Sequence, residues 1–366
     1  MTLSLYLALR FLQALAATFL LFFCMYFLEG TVQISDRFMR FEIELFKAAE
    51  LALMRIAIDL YTLLPIIVGL AALAMSFLWF RSSEMVAVRS AGISALAAMC
   101  VPALCAFLFG IVSIALLNPL VAILTDQFRI SAGKIDASLV QSEWIRNGEV
   151  VLGRPGQKSE SVIRATLVDE TKFEFQDADI FLFADDGTLT HWILAETAML
   201  EDSRWQLSNG KIWRIDSDSP NPEKSAVEFE EYELPTDLTR DQVNSSLISL
   251  NFVSFWEIEK LIELRERAGI SSVEFKVFYS AELAKPLLFA ALVLVGAGFT
   301  TRPARVGPAS IKVLLAALTV LGIYYFSTFT KVLAENERIS PFAAAWLPPT
   351  VALALALTQL LVVEDG

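Results

Sequence analysis

The chain has 366 residues, 55% of them hydrophobic and 27 of them phenylalanine, with a mean hydropathy of +0.56; this is too apolar for an ordinary water-soluble domain and points to an integral membrane protein. The formal net charge of −12 is unevenly placed: residues 126–282 carry 30 acidic and 16 basic side chains, whereas the remainder carries 11 and 13. An acidic module is therefore set within a nearly neutral, apolar part. The three cysteines, Cys24, Cys100 and Cys105, all fall in apolar stretches, so no disulfide can hold the acidic module.

A helix needs about 20 mostly apolar residues to cross the hydrocarbon layer. Five stretches free of charge meet that length: residues 11–28, 60–80, 90–125, 313–330 and 339–363. The first shows no small-residue cleavage site and reads as a retained span. A sixth, 286–301, is short and borrows from 278–284, with Glu282 facing protein and Lys285 buried or reaching outward. The expected fold is an α+β membrane protein with six transmembrane helices, three before and three after an inserted domain. Counting basic residues does not orient it. Arg10, Arg81, Arg89, Arg302, Arg305 and Lys312 on the terminal side balance Arg37, Arg40, Lys47, Arg55, Lys331 and Arg338 on the insert side.

The expected division is 1–125 for the first three spans, 126–250 for the inserted domain, 251–284 for an amphipathic helical return and 285–366 for the last three spans. Within the insert, short alternating or β-branched runs predict strands at 161–168, 172–176, 179–184, 189–196, 204–208, 211–215 and 226–234. Asp185-Asp186-Gly187 and Asn209-Gly210 read as turns between them. Strands this short and evenly spaced favour a sandwich, jelly roll or open barrel. The acidic tract Glu228-Phe229-Glu230-Glu231-Tyr232-Glu233 reads as a solvated strand edge. At 256–267, Ile258, Leu261, Ile262 and Leu264 are spaced for an amphipathic helix.

Several chemistries are excluded. His191 is the only histidine and lies in a predicted strand without a second histidine or a cysteine pair nearby, so a zinc site or a Ser/His/Asp triad has almost nothing to be built from, and His191 reads as structural. No Gly-x-x-x-x-Gly-Lys-Ser/Thr occurs, so the chain lacks a P-loop and any energy for work must enter from another chain.

Between the second and third spans the chain returns to polar residues only at Arg81-Ser82-Ser83-Glu84-Met85-Val86-Ala87-Val88-Arg89-Ser90-Ala91-Gly92-Ile93-Ser94. Ser82 or Ser83 can cap a short helix, Glu84 sits in the first turn where the helix dipole favours a carboxylate, and Gly92 can close it in a left-handed C-cap. Met85, Val86 and Val88 give that helix an apolar surface; the plain alternative is a connecting turn. Beyond the first span, Arg37 and Arg40 share one face if the helix continues. They would suit the phosphates or carboxylates of an amphiphile, or else anchor the interface by pairing with Asp36 and Glu44.

The island resembles the motif between the second and third spans of the LptF/LptG (YjgP/YjgQ-type) lipopolysaccharide-export permeases. The resemblance extends along essentially the whole chain. It takes in Ser142-Glu143-Trp144-Ile145-Arg146-Asn147-Gly148, Leu234-Pro235-Thr236-Asp237-Leu238-Thr239, Lys285-Pro286 and Ala345-Trp346-Leu347-Pro348, and the closing Glu364-Asp365-Gly366 leans towards the LptG half. It implies a non-enzymatic inner-membrane subunit of an ABC transporter with a periplasmic β-jelly-roll-like domain and cytoplasmic termini. Such a subunit extracts lipopolysaccharide from the inner membrane and passes it to a periplasmic bridge. The implied partners are an LptF-like permease in a heterodimer, an LptB-like ATPase dimer that holds ATP and Mg, an LptC-like bridge protein and the lipopolysaccharide itself. No nucleic acid, metal or cofactor in this chain is expected. The island, at about 81–93, would be the coupling helix docking on the ATPase through Glu84, Arg89, Ser83, Met85 and Val88, and Arg37 and Arg40 would contact lipid phosphates. Gln33 stands where some family members have lysine. The alternative is a membrane-anchored periplasmic sensor or binding protein, which would have no use for a capped helix bearing a carboxylate.

Overall fold

The computed structural model describes residues 2–37, 45–81, 88, 90, 92–133, 149–152, 161–169, 174–184, 188–201, 204–215, 226–236, 253–267, 271–300 and 309–364. They divide into two compact units, Met1–Phe128 with Ser254–Trp256 and Val273–Gly366, and Arg129–Val253 with Glu257–Ser272. In chain order come α1 (Thr2–Arg37), α2 (Leu45–Arg81), α3 (Ala95–Val112), a π-helical turn (Ser113–Leu117) and α4 (Asn118–Gly133). Strands β1 (Glu149–Leu152), β2 (Ser161–Asp169), β3 (Glu174–Phe183), β4 (Leu189–Glu201), β5 (Arg204–Arg214) and β6 (Val227–Pro235) follow. Helix α5 (Phe255–Arg267) leads to α6 (Val273–Thr300), α7 (Ala309–Glu335) and α8 (Pro341–Glu364).

The six expected spans are present, as helices long and apolar enough to cross a membrane. The central one is α6: Phe289, Ala291, Leu292, Val293 and Val295 are all at most 1% exposed, so this stretch of the helix is enclosed on every side. In lipid, apolar side chains gain nothing by leaving water, and association depends on close packing of backbones. Gly110 of α3 meets this need, because a Cβ there would lie 2.5 Å from the Pro286 Cα of α6. The outer helices stay apolar where nothing covers them, as with Leu20, Leu21 and Leu28 of α1 and Leu314 and Leu318 of α7. Such surfaces are stable only in hydrocarbon.

The fourth span, expected over 286–301 with residues borrowed from 278–284, lies in a longer helix: α6 is continuous from Val273, because Glu282 and Lys285 pair with each other and their charges need not leave the helix. The amphipathic helix expected over 256–267 is α5, which ends at Arg267, where Arg265 donates to the Ser271 carbonyl at 3.1 Å. Ile258 of α5 is fully buried, in keeping with its amphipathic pattern.

The insert is one antiparallel sheet in the order β1-β2-β3-β4-β5-β6. Each described strand pairs with its sequence neighbour, as in a meander, so the expected antiparallel β insert is present. The crossover that would make two Greek keys is not among the described strands. One face carries Ile163, Phe175, Ile180, Ile193, Trp205 and Leu207, each at most 1% exposed, with Phe175 edge-on to Trp205 at 5.4 Å. Burying each such side chain contributes about 1.5–3 kcal/mol.

The predicted break at Asn209-Gly210 is not a hairpin. Both residues lie inside β5, and the predicted pairs 172–176/179–184 and 204–208/211–215 are each one strand. Asp177 (φ 51°) and Asn209 (φ 52°) take left-handed backbone within their strands, and Ala178↔Ala195 and Ala195↔Gly210 lie beside them in register. Buried positions switch parity there: Phe175 to Ala178 and Ile180 in β3, Ala195 to Ala198 in β4. A left-handed residue flips which face the following side chains occupy, so one core face continues across a break in alternation. Asn209 donates to Glu196 of β4 at 3.2 Å along the same row. Strand β1 was not predicted at all.

The acidic tract forms β6, an edge strand of the described sheet, mostly exposed and paired outward through Lys211–Glu228 and Arg204–Glu233, both at 2.8 Å. The hydrogen bond and charge of Lys211 hold the Glu228 carboxyl below the usual carboxylate range.

Candidate functional site

Of the polar island, the structure describes the backbone of Arg81, where α2 ends, and Val88, Ser90 and Gly92 to Ser94. The Ile93 N–H donates to the Val88 carbonyl at 3.3 Å across Gly92, whose φ is +79°. A bond closing over a left-handed residue in this way ends a helical turn, and glycine takes that φ without a Cβ penalty. Two residues later Ser94 caps α3, its hydroxyl accepting from the Ala97 N–H at 3.1 Å. The connection out of the island is thus fixed at both ends within a few residues.

Val88, expected on the apolar surface of the short helix, is only 8% exposed and belongs to the apolar core of the helical unit. It faces the bundle. Ser83, Glu84, Met85, Arg89 and Arg40 lie outside the described residues. Arg37 is the last residue of α1, which confirms that the first span's helix runs on to this point.

A second polar cluster lies within the spans themselves. Glu282 of α6 is 4% exposed, and its Oε1 accepts from Lys285 Nζ at 2.6 Å, one helical turn on. The other oxygen accepts from the Tyr61 hydroxyl of α2 at 2.5 Å. The Lys285 ammonium also stands 3.8 Å from the centre of the Tyr61 ring, so Tyr61 serves both charges. Asn118, the first residue of α4, hydrogen-bonds the Tyr61 side chain, and its Oδ1 accepts from the Phe255 N–H at 2.7 Å. Just before Asn118, the π-helical turn leaves the Ala115 carbonyl to accept from the Trp256 indole at 3.4 Å. One connected network thus ties α6, α2, α4 and the first turn of α5. An ion pair this deep is stable only when each charge is fully hydrogen-bonded, and here both carboxylate oxygens are engaged.

The sequence reading found Glu282 and Lys285 but not their partners. Tyr61 is 221 positions from Glu282 and gives no local signal. His191 lies in β4 with its Nδ1 3.2 Å from the Thr190 hydroxyl.

Six membrane-length helices, three on each side of an antiparallel β insert, define a polytopic membrane protein of mixed α+β class. The sequence profile of the lipopolysaccharide export system permease LptF/LptG matches residues 5–361, and the chain belongs to that family. Membership makes it a permease of lipopolysaccharide export. No protein of curated function matches the chain.

Proposed function

We propose that the chain is the LptG-type half of an ABC transporter that extracts lipopolysaccharide from the bacterial inner membrane and hands it to a periplasmic bridge. The family match over residues 5–361 carries this reading. In it, the chain pairs with an LptF-like permease, sits on an LptB-like ATPase dimer that binds ATP and Mg, and meets an LptC-like protein through the β insert in the periplasm. The open edge of a six-stranded sheet suits strand addition.

The island is the coupling helix. Glu84 is its main polar contact, with Arg89, Ser83 and Met85 beside it, while the buried Val88 anchors the helix to the spans. The closure over Gly92 and the Ser94 cap support this role, since a push on the helix passes to α3 through a short, fixed connection. Arg37 and Arg40 contact lipid phosphates at the insert end of the first span.

Closure of the ATPase around ATP then moves the two coupling helices together, narrows the cavity between permeases and drives the lipid towards the β insert. Acyl chains need little more than an apolar wall, at about 0.8 kcal/mol per methylene buried. Co-purification of the complex tests the coupling role. The expected result is that the ATPase is retained by the wild-type chain and lost with Glu84→Ala and Glu84→Lys; retention in both variants would remove Glu84 from the interface.

A further inference from the structure

Two helices belong partly to each compact unit. Helix α4 begins at Asn118 and passes from the first unit to the second after Phe128; α5 begins at Phe255 and does so after Trp256. The first residues of these two helices are joined to each other, Asn118 Oδ1 accepting from the Phe255 N–H at 2.7 Å. An asparagine 137 positions away thus takes the first N–H of α5, a donor that no helix satisfies from within itself. Two further contacts hold the same turn. The Trp256 indole donates to the Ala115 carbonyl of the π-helical turn, and the Phe255 ring stacks on Tyr279 of α6 with centres 5.3 Å apart.

Asn118 is 5% exposed and also hydrogen-bonds Tyr61. Because the Tyr61 hydroxyl gives its hydrogen to Glu282, its oxygen accepts and the Asn118 amide is the donor. The bonds therefore run in one direction, from the Phe255 N–H through the Asn118 amide and the Tyr61 hydroxyl to the Glu282 carboxylate, and each polarises the next. Only a side chain that both donates and accepts can stand at this point; leucine does neither, and a carboxylate cannot donate.

The helices that carry Tyr61 and Asn118 have their other ends at the island. Helix α2 carries Tyr61 and ends at Arg81, where the island begins; α3 begins at Ala95, just past Ser94, and runs through the π-helical turn into Asn118. At 1.5 Å per residue each covers about 30–35 Å over that distance. Motion entering at the island is carried along both helices and meets again where Asn118 bonds Tyr61.

We infer that Asn118 is a positioning residue for lipid transfer: it locks the starts of α4 and α5 to the Tyr61–Glu282–Lys285 network, so that movement of the spans is delivered to the insert through both helices together. The inference rests on the transporter reading above and extends it from where work enters the spans to where it leaves them.

Two measurements test it. In the purified full chain, amide exchange is followed by mass spectrometry over residues 255–258. It is expected to quicken about two- to tenfold, the weight of one hydrogen bond, in Asn118→Ala and also in Tyr61→Phe. The second variant leaves the Asn118–Phe255 bond and the Glu282–Lys285 pair in place and removes only the link between them. An unchanged rate in Tyr61→Phe would overturn the inference by reducing Asn118 to a local cap. In liposomes holding the complete complex, the lipopolysaccharide released per ATP hydrolysed is expected to fall about twofold or more in both variants. A chain that is merely less stable loses release and hydrolysis together and keeps that ratio. A wild-type ratio in both variants would overturn this inference alone, whereas a wild-type chain that releases no lipid on addition of ATP would remove the transporter reading and this inference with it.

Discussion

Two ion pairs of the same kind sit in opposite surroundings. Lys285–Glu282 in the helical unit and Arg204–Glu233 on the sheet have nearly equal separations, 2.6 and 2.8 Å, yet their side chains are 11% and 5% exposed in the first and 62% and 60% in the second. Distance does not distinguish them; medium does. In water the partners exchange one set of hydrogen bonds for another, whereas inside the helical unit a charge left alone has nothing to turn to. Only the buried pair has recruited a third and a fourth residue, Tyr61 and Asn118, and only it fixes how helices meet.

The largest effect is expected from Glu282→Ala, which strands Lys285 and the Tyr61 hydroxyl and should cost about 3–5 kcal/mol, read as a fall in the unfolding temperature of the purified chain. Tyr61→Phe removes one bond to a charged group and should cost about 1.5–3 kcal/mol in the same measurement. If the two losses were equal, the network would act as a unit and not as a pair with a helper. Gly110→Ala tests the neighbouring helix contact: its Cβ must displace the Pro286 backbone, with an expected cost of about 1–3 kcal/mol.

On the sheet, Arg204→Ala should cost under about 1 kcal/mol, visible only as faster amide exchange along β5 and β6. A cost as large as that of Glu282→Ala would refute the contrast of media. The smallest effect concerns Glu228, whose carboxyl is held below its ordinary range by Lys211. Its folded value lies below its unfolded one, so the contribution is present above the unfolded value and is lost as pH falls through the folded one. Amide exchange at β6 should therefore rise slightly more on acidification in the wild type than in Lys211→Met.

Much of this architecture could be read from sequence because apolar length is a strong local signal. The six spans follow from it, and their ends do not. Helix α1 continues to Arg37, well past the last residue of its uncharged run, because a helix need not stop where hydrocarbon does. The sheet shows the opposite difficulty. Each interruption in the predicted strands, after Gln176, Glu196 and Ser208, marks a real change of phase, yet the chain neither turns nor leaves the sheet there. Left-handed Asp177 and Asn209 slip the alternation, and alternation alone cannot separate a slip from a turn. In the candidate site, Gly92 was legible because left-handed caps favour glycine. The partnership of Tyr61, Glu282 and Asn118 was not, because it exists only once α2, α4 and α6 are packed.

The central claim is that work done in another chain enters this one through the island and leaves as displaced lipid. The most direct measurement is ATP-dependent release of lipopolysaccharide from liposomes holding the complete complex, with wild-type chain and with Glu84→Ala. The expected result is release with the wild type and none above the ATP-free background with the variant. Equal release from both would contradict it.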